Sequence, residues 1–375
     1  MGLLIAVATL VKVMQSGREA RVLLRNLRHP VSLFAMLFAL WSLTTALWAP
    51  HPPWTMLRIS TYSALFIMMQ AIGLLDKGAV RKMWLFLLVG GALSVPLGFI
   101  LPAPTDLVAA SGRFTSGGKD PNDYANLVVV AVAVAAYGLP GFRGQTVGKF
   151  QMCLSYLSGL LSLLAILLSL SRTAIINIAA ATFVALLFAK TRRSCMRIAV
   201  VAVVLISIVF MLFPELGEKT NARMSTLRML GQEDTWAGRI DLWRAAVRVF
   251  IEHPIGGVGA GNFAFVSPEL SYYARRIAAT REDGGGGVAH NVFLSVLSET
   301  GLVGFVVFGA LLLCAYVSAW RLMKRGEDMG YALFLGLIAY TIAGLTLTWE
   351  YVKISSLLYG SLLALQRVGT KHEKS

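Results

Sequence analysis

Charge is scarce in this 375-residue chain: Asp, Glu, Lys and Arg supply 14% of it, against 57% for apolar types, and the mean hydropathy is +0.69. A soluble domain carries about a quarter charged residues, so that class is excluded. Acidic residues are the scarcer sign, 19 against 34 basic, which leaves a formal charge of +15. Cysteine is nearly absent. Cys153, Cys195 and Cys314 stand one apiece on separate segments, which excludes a zinc pattern and argues against structural disulfides. Heptads, fixed-period repeats and low-complexity tails are also missing.

What is present is a series of apolar runs near the roughly 20 residues that cross a bilayer as helix. They fall at Gly2–Met14 (short), Val31–Ala49, Met56–Leu75, Met83–Leu101, Tyr124–Leu139, Phe150–Ser169, Thr173–Ala189, Ile198–Phe213, Val292–Ala319, Tyr331–Thr348 and Val352–Gln366. Lipid offers backbone groups no partner, so the runs are expected to be helices. The fold class is therefore all-α, a polytopic transmembrane bundle of about 11 spans, or 12 if a first helix is missing or divergent. It divides into N-terminal spans (1–213), one large external loop (214–289), and C-terminal spans with a tail (290–375).

Lysine and arginine orient the bundle. Dense basic clusters follow alternate spans, at Lys12 to Arg28, Lys77 to Lys82, Arg143 and Lys149, Lys190 to Arg197, Arg321 to Arg325, and Arg367 to Lys374. These sides are expected to be cytoplasmic. The basic excess is then a topology signal toward anionic membrane lipids, and no nucleic-acid partner is needed.

The alternation places Pro214 to Ala289 outside. Its sequence from Gly238, GRIDLWRAAVRVFIEHPIGGVGAGNF, precedes a glycine-rich stretch and then HNVFLSVLSETGLVG from His290. Arg239 to Glu252 reads as an amphipathic helix with Ile240, Trp243, Val247, Phe250 and Ile251 on one side and Asp241, Arg244 and Arg248 opposite. Pro254 ends it, and Arg281 to Gly287 reads as a mobile hinge. A helix lying on the membrane with such a tether suits a lid over a lipid-borne substrate.

Each candidate chemical group has an ordinary reading beside the functional one. His290 is either an interfacial helix-capping residue or a neutral imidazole placed to accept a proton from a hydroxyl. Arg172, at a tight turn between two apolar spans, either snorkels or grips an anion through its planar fork. Arg239 opens the amphipathic helix, where the dipole also favours an anion. The glycines from Gly256 to Gly261 follow a helix and lack a Walker lysine, so a phosphate loop is a weak reading. Glu299 is an arginine partner or a functional group. Arg113 and Lys119 are secondary candidates for phosphates or sugars. Asp120 and Asp123 flank Pro121 and read better as a cap and turn than as metal ligands. No metal and no cofactor is expected.

The two loop blocks, with SRTA before the seventh span and GRFTSGGKDPNDYA before the fifth, resemble the O-antigen ligase and polymerase superfamily of bacterial inner-membrane proteins. The resemblance implies a metal-independent, inverting glycosyltransferase that uses an undecaprenyl-pyrophosphate glycan at the periplasmic face. It further implies two arginines at the pyrophosphate, matched by Arg172 and Arg239, and a histidine at the acceptor, matched by His290. The acceptor expected is the lipid A-core oligosaccharide of lipopolysaccharide, as for a ligase. A second lipid-linked glycan (polymerase) and a protein hydroxyl (O-oligosaccharyltransferase) are the alternatives. The rival from another class is a transporter, such as one for bicarbonate. It would place ionisable groups or broken helices near the bilayer midplane.

Overall fold

The computed structural model describes residues 17–101, 114–116, 120–138, 149–188 and 234–366, with isolated positions between 192 and 218. Every regular element among the described residues is helical. In chain order they are α1 (Gly17–Leu27), α2 (Pro30–Thr44), α3 (Pro52–Gly73), α4 (Lys77–Ile100), α5 (Pro121–Gly138), α6 (Lys149–Leu168) and α7 (Arg172–Leu187). There follow α8 (Asp234–Glu252), α9 (Phe263–Leu270), α10 (Tyr272–Ala278), α11 (Val292–Lys324), α12 (Asp328–Gly344) and α13 (Lys353–Gln366).

The apolar runs within the described residues all fold as helices. Most of their starts lie one to six residues earlier than hydropathy places them, because caps and proline set them; α11 begins where expected and α13 one residue later. Asp76 accepts from Ala79 N at 2.9 Å ahead of α4, and Pro residues fill the first turns of α2 and α3. Pro30–Leu47, Lys77–Ile100, Lys149–Leu168 and Val292–Lys324 are long and apolar enough to cross a membrane, and α7 and α12 are shorter apolar helices. The chain is thus a multi-pass membrane protein. Among the described residues four helices meet both criteria, against the eleven spans expected of the whole chain. The expected spans at Gly2–Met14 and over most of Ile198–Phe213 lie outside the described residues.

The chain forms two compact units. One comprises residues 1–75, 229–318 and 344–375; the other comprises 76–228 and 319–343. In the second, α5 is buried along nearly its whole length by α4, α6 and α7. Its Val-Ala sequence explains this, since small side chains let helices approach where lipid supplies no hydrophobic drive. In the first unit, α13 packs on α3 with Gly360 against Ile72, and Ser356 Oγ donates to Leu65 O at 2.9 Å.

The loop between α7 and α11 has its own core of Leu242, Ala245, Ala246, Val249, Val258, Phe263, Ala274 and Ala289. Truncating Phe263 to Ala would cost this core about 3–5 kcal/mol. Three expectations are corrected here. The packed face of α8 is Leu242, Ala245, Ala246 and Val249, whereas Val247 (42% exposed) and Ile251 (68%) point outward. Small alanines win the inner face because α9 and α10 pack close. The helix also begins at Asp234, so Arg239 sits in its second turn and not at its mouth. Finally, Arg281 to Gly287 is a pinned turn. Arg281 pairs with Asp283, Gly286 N donates to Ala264 O at 2.6 Å, and a side chain at Gly286 would strike Ala274 and Pro268.

Candidate functional site

The glycine block of the loop is a clasp. Gly301 interrupts α11 with φ 64° and ψ −167°, a conformation open essentially to glycine alone. The backbone of 254–262 runs into that break. Leu302 N donates to Pro254 O (2.8 Å), Val258 N to Ser298 O (3.0 Å) and Gly259 N to Glu299 O (2.9 Å). A Cβ on Gly257 would strike the Glu299 carbonyl, and one on Gly301 the Ile255 carbonyl. Side chains from the α2–α3 corner complete the lacing: Trp41 Nε1 donates to Thr300 O (2.8 Å), Trp48 Nε1 to Gly257 O (2.9 Å), and Thr45 Oγ1 accepts from Ala260 N (3.0 Å). The glycines therefore serve close backbone packing, which replaces the phosphate-loop reading.

Glu299 belongs to this clasp. It is buried, its Oε2 accepts from Gly261 N at 2.7 Å, and the arginine it faces is Arg58 of α3. Arg58 also stacks over the Tyr351 ring, 3.8 Å from its centroid, and interacts with Glu350. Glu350, in the connection between α12 and α13, is buried and accepts from Ser295 Oγ at 3.0 Å. Burial pushes its carboxyl up to about 7; Arg58 opposes the rise and Glu299 adds to it. Arg58 and Glu350 carry no motif, and an ionisable residue flanked by apolar spans is the signal that finds them.

Two sequence candidates fall in the same unit as this cluster. Arg239 is buried on α8, one residue after Gly238, whose missing Cβ makes room for the Tyr273 ring. The next turn is anchored by Asp241, which accepts from Ser271 Oγ (2.6 Å) and Tyr273 N (3.0 Å). Burial opposes ionisation of Asp241. The Ser271 and Tyr273 donors outweigh it, with help from Arg244 and Arg248, and hold the carboxyl below its usual range. His290 is half-buried with φ 49°, in the left-handed region. Asn291 then caps α11, accepting from Phe293 N (3.0 Å) and Leu294 N (3.1 Å) while its Nδ2 donates to Leu345 O (3.1 Å).

Arg172 belongs to the other unit. It is buried in the first turn of α7, where Ser171 caps the helix; the positive helix end and the guanidinium both favour an anion. Its neighbours are held by asparagines from the PNDYAN segment. Ser171 Oγ donates to Asn122 Oδ1 (2.9 Å), Asn126 Nδ2 to Thr173 Oγ1 (3.0 Å), and Asn177 Nδ2 to Asn126 Oδ1 (2.9 Å). Leu170 has φ 50°. Leu170 and His290 are the non-glycine residues with positive φ among the described residues, so one lies two residues before a candidate arginine and the other is the candidate histidine. Such conformations cost about 1–3 kcal/mol and gather at functional sites. Asp120 is used as a cap, its Oδ1 accepting from Asn122 N at 2.7 Å. Arg113 and Lys119 lie outside the described residues.

Residues 157–309 match the family model described as O-antigen ligase, a stretch that contains Arg172, Arg239 and His290. Among curated proteins, none matches the chain. A solved chain from the structure described as "Structural coordination of polymerization and crosslinking by a peptidoglycan synthase complex" superposes with a TM-score of 0.50. The identity is 15%, over 90% of this chain and 97% of that one, so the likeness is one of fold.

Proposed function

We propose that this chain is a member of the O-antigen ligase superfamily and transfers a glycan from undecaprenyl pyrophosphate to a lipid A-core oligosaccharide, at the periplasmic face of the bacterial inner membrane. The observation that carries the reading is that the matched stretch holds Arg172, Arg239 and His290, with His290 in a strained left-handed conformation. As the bond from the sugar to pyrophosphate breaks, negative charge grows on the leaving group. Arg172 and Arg239 supply fixed guanidinium donors for that charge, which makes a metal unnecessary. His290 accepts the proton of the attacking hydroxyl on the opposite face of the sugar, so the anomeric centre inverts. Arg113 and Lys119 are secondary contacts to phosphates or sugars in this scheme, and Glu299 supports the site through the clasp.

The break in α11 does not favour a transporter. The helix from Leu302 to Lys324 is about 34 Å long and spans an apolar layer by itself. The break thus falls at the end of a crossing segment and not at its middle. The test is transfer in vitro with purified protein, a lipid-linked glycan and acceptors offered one at a time, in the presence of EDTA. Product on lipid A-core in EDTA supports the proposal. Product only on a second lipid-linked glycan or on a protein hydroxyl reassigns the acceptor. Loss in EDTA that magnesium or manganese restores overturns the metal-free scheme.

A further inference from the structure

The first unit places two buried carboxyls, Glu299 and Glu350, beside one guanidinium, that of the half-buried Arg58. Were both carboxyls ionised, the cluster would hold one uncompensated negative charge. An unpaired buried carboxylate is costly enough that the group takes a proton instead, and two carboxyls sharing one site separate their ionisations. The hydrogen bonds point to where that proton sits. Glu299 Oε2 is engaged by Gly261 N, which favours its charged form. Glu350 has one oxygen on the Ser295 hydroxyl, while its Oε2 is buried with no hydrogen-bond partner. An oxygen so placed has room for a proton. Among the described residues, the remaining titratable groups facing the cluster are Tyr62 of α3 and Tyr351 of the α12–α13 connection. Neither tyrosine supplies a positive charge.

The position along α11 connects this cluster to the proposed chemistry. Ser295, which donates to Glu350, lies in the first turn of α11, and His290 precedes that helix by two residues. In the transfer proposed above, the acceptor O–H bond breaks and a new C–O bond forms at the sugar. The old C–O bond leaves its electrons on the pyrophosphate, and the proton passes to His290. That proton must leave before the imidazole can act again. We propose that Glu299 and Glu350 share one exchangeable proton around Arg58, and that in each turnover this carboxyl pair gives that proton up to solvent and is reloaded with the proton released from His290. The coupling half of this inference rests on the glycosyl-transfer reading; the proton site does not.

The test is a pH-difference infrared spectrum of the full chain in neutral-lipid nanodiscs, with pH profiles of donor binding and transfer on the same samples. The expected result is a carboxylic-acid carbonyl band that titrates between about pH 5 and 9. It is lost in Glu350→Gln and kept in His290→Ala. Transfer by Glu350→Gln falls about tenfold at neutral pH and loses one ionisation from its profile, with donor binding unchanged. Should Glu350→Gln fail to fold by its melting curve, Glu350→Asp replaces it, and the band must shift. Absence of a titrating band from the unmodified protein overturns the proposal. So does a band that Glu350→Gln leaves in place, or an unmoved pH profile of transfer in that variant. Transfer by His290→Ala would sink the glycosyltransferase role of His290 while leaving the band intact, which keeps the two failures apart.

Discussion

Two stretches of the same loop region carry unusual backbone, and they use it in opposite ways. At the clasp, Gly257, Gly259, Gly261 and Gly301 adopt positive φ at little cost, and the missing side chains let two backbones touch. At the start of α11, His290 holds φ 49° with an imidazole attached, where a glycine would sit without strain. Glycine in such a position marks packing. On the proposed function, a histidine there marks a place where stability is given up for chemistry.

The largest effect is expected from breaking the clasp. Gly301→Ala puts a Cβ into the Ile255 carbonyl at a backbone conformation alanine cannot adopt, so the cost should exceed about 3 kcal/mol. Loss of a cooperative melting transition in detergent checks it, and a melting temperature equal to that of the unmodified protein contradicts the clasp.

Next come the arginines. On the proposed scheme, Arg172→Ala and Arg239→Ala should each lower turnover by about 10²- to 10³-fold in protein that still melts cooperatively, since each removes a preorganised donor. Lysine at either place should restore only part, because it lacks the two-point fork. Full recovery by lysine would show that charge suffices without geometry.

The smallest effect concerns Asp241, which ties α8 to α10. Its folded-state ionisation is held low, so its contribution is complete above the unfolded value near about 3.9 and fades as pH falls through the folded value. Melting of the unmodified protein should therefore drop on acidification from about pH 5 to pH 3 more than that of Asp241→Asn. Parallel curves would remove Asp241 from that account.

The sequence shows the helices well, because apolar runs bounded by Pro30, Pro52, Asp76 and Asn291 leave few other folds in lipid. It shows poorly which face of α8 is packed. Bulky Ile240, Val247 and Ile251 dominate a hydropathy pattern, yet close helices are met by Ala245 and Ala246. The break at Gly301 is invisible because one glycine inside an apolar run reads as tolerated helix. α1 is hidden by its arginines, which mark it as a connection. His290 and Arg172 stand out by motif, whereas Arg58 and Glu350 show in the sequence only as isolated charges, and their partnership with Glu299 emerges once α3, α11 and the α12–α13 connection meet. Each is a single charge in an apolar setting, far from the others in sequence.

The central claim is that the strained histidine serves chemistry while the clasp glycines serve structure, and His290→Gly tests it most directly. Glycine relieves the left-handed strain and removes the imidazole in one change. Melting temperature, donor binding and transfer are to be measured on the same purified sample. The account predicts melting unchanged or raised, lipid-linked glycan still bound, and transfer reduced by about 10²- to 10⁴-fold. Transfer at the unmodified rate, or loss of donor binding in a folded protein, would contradict it.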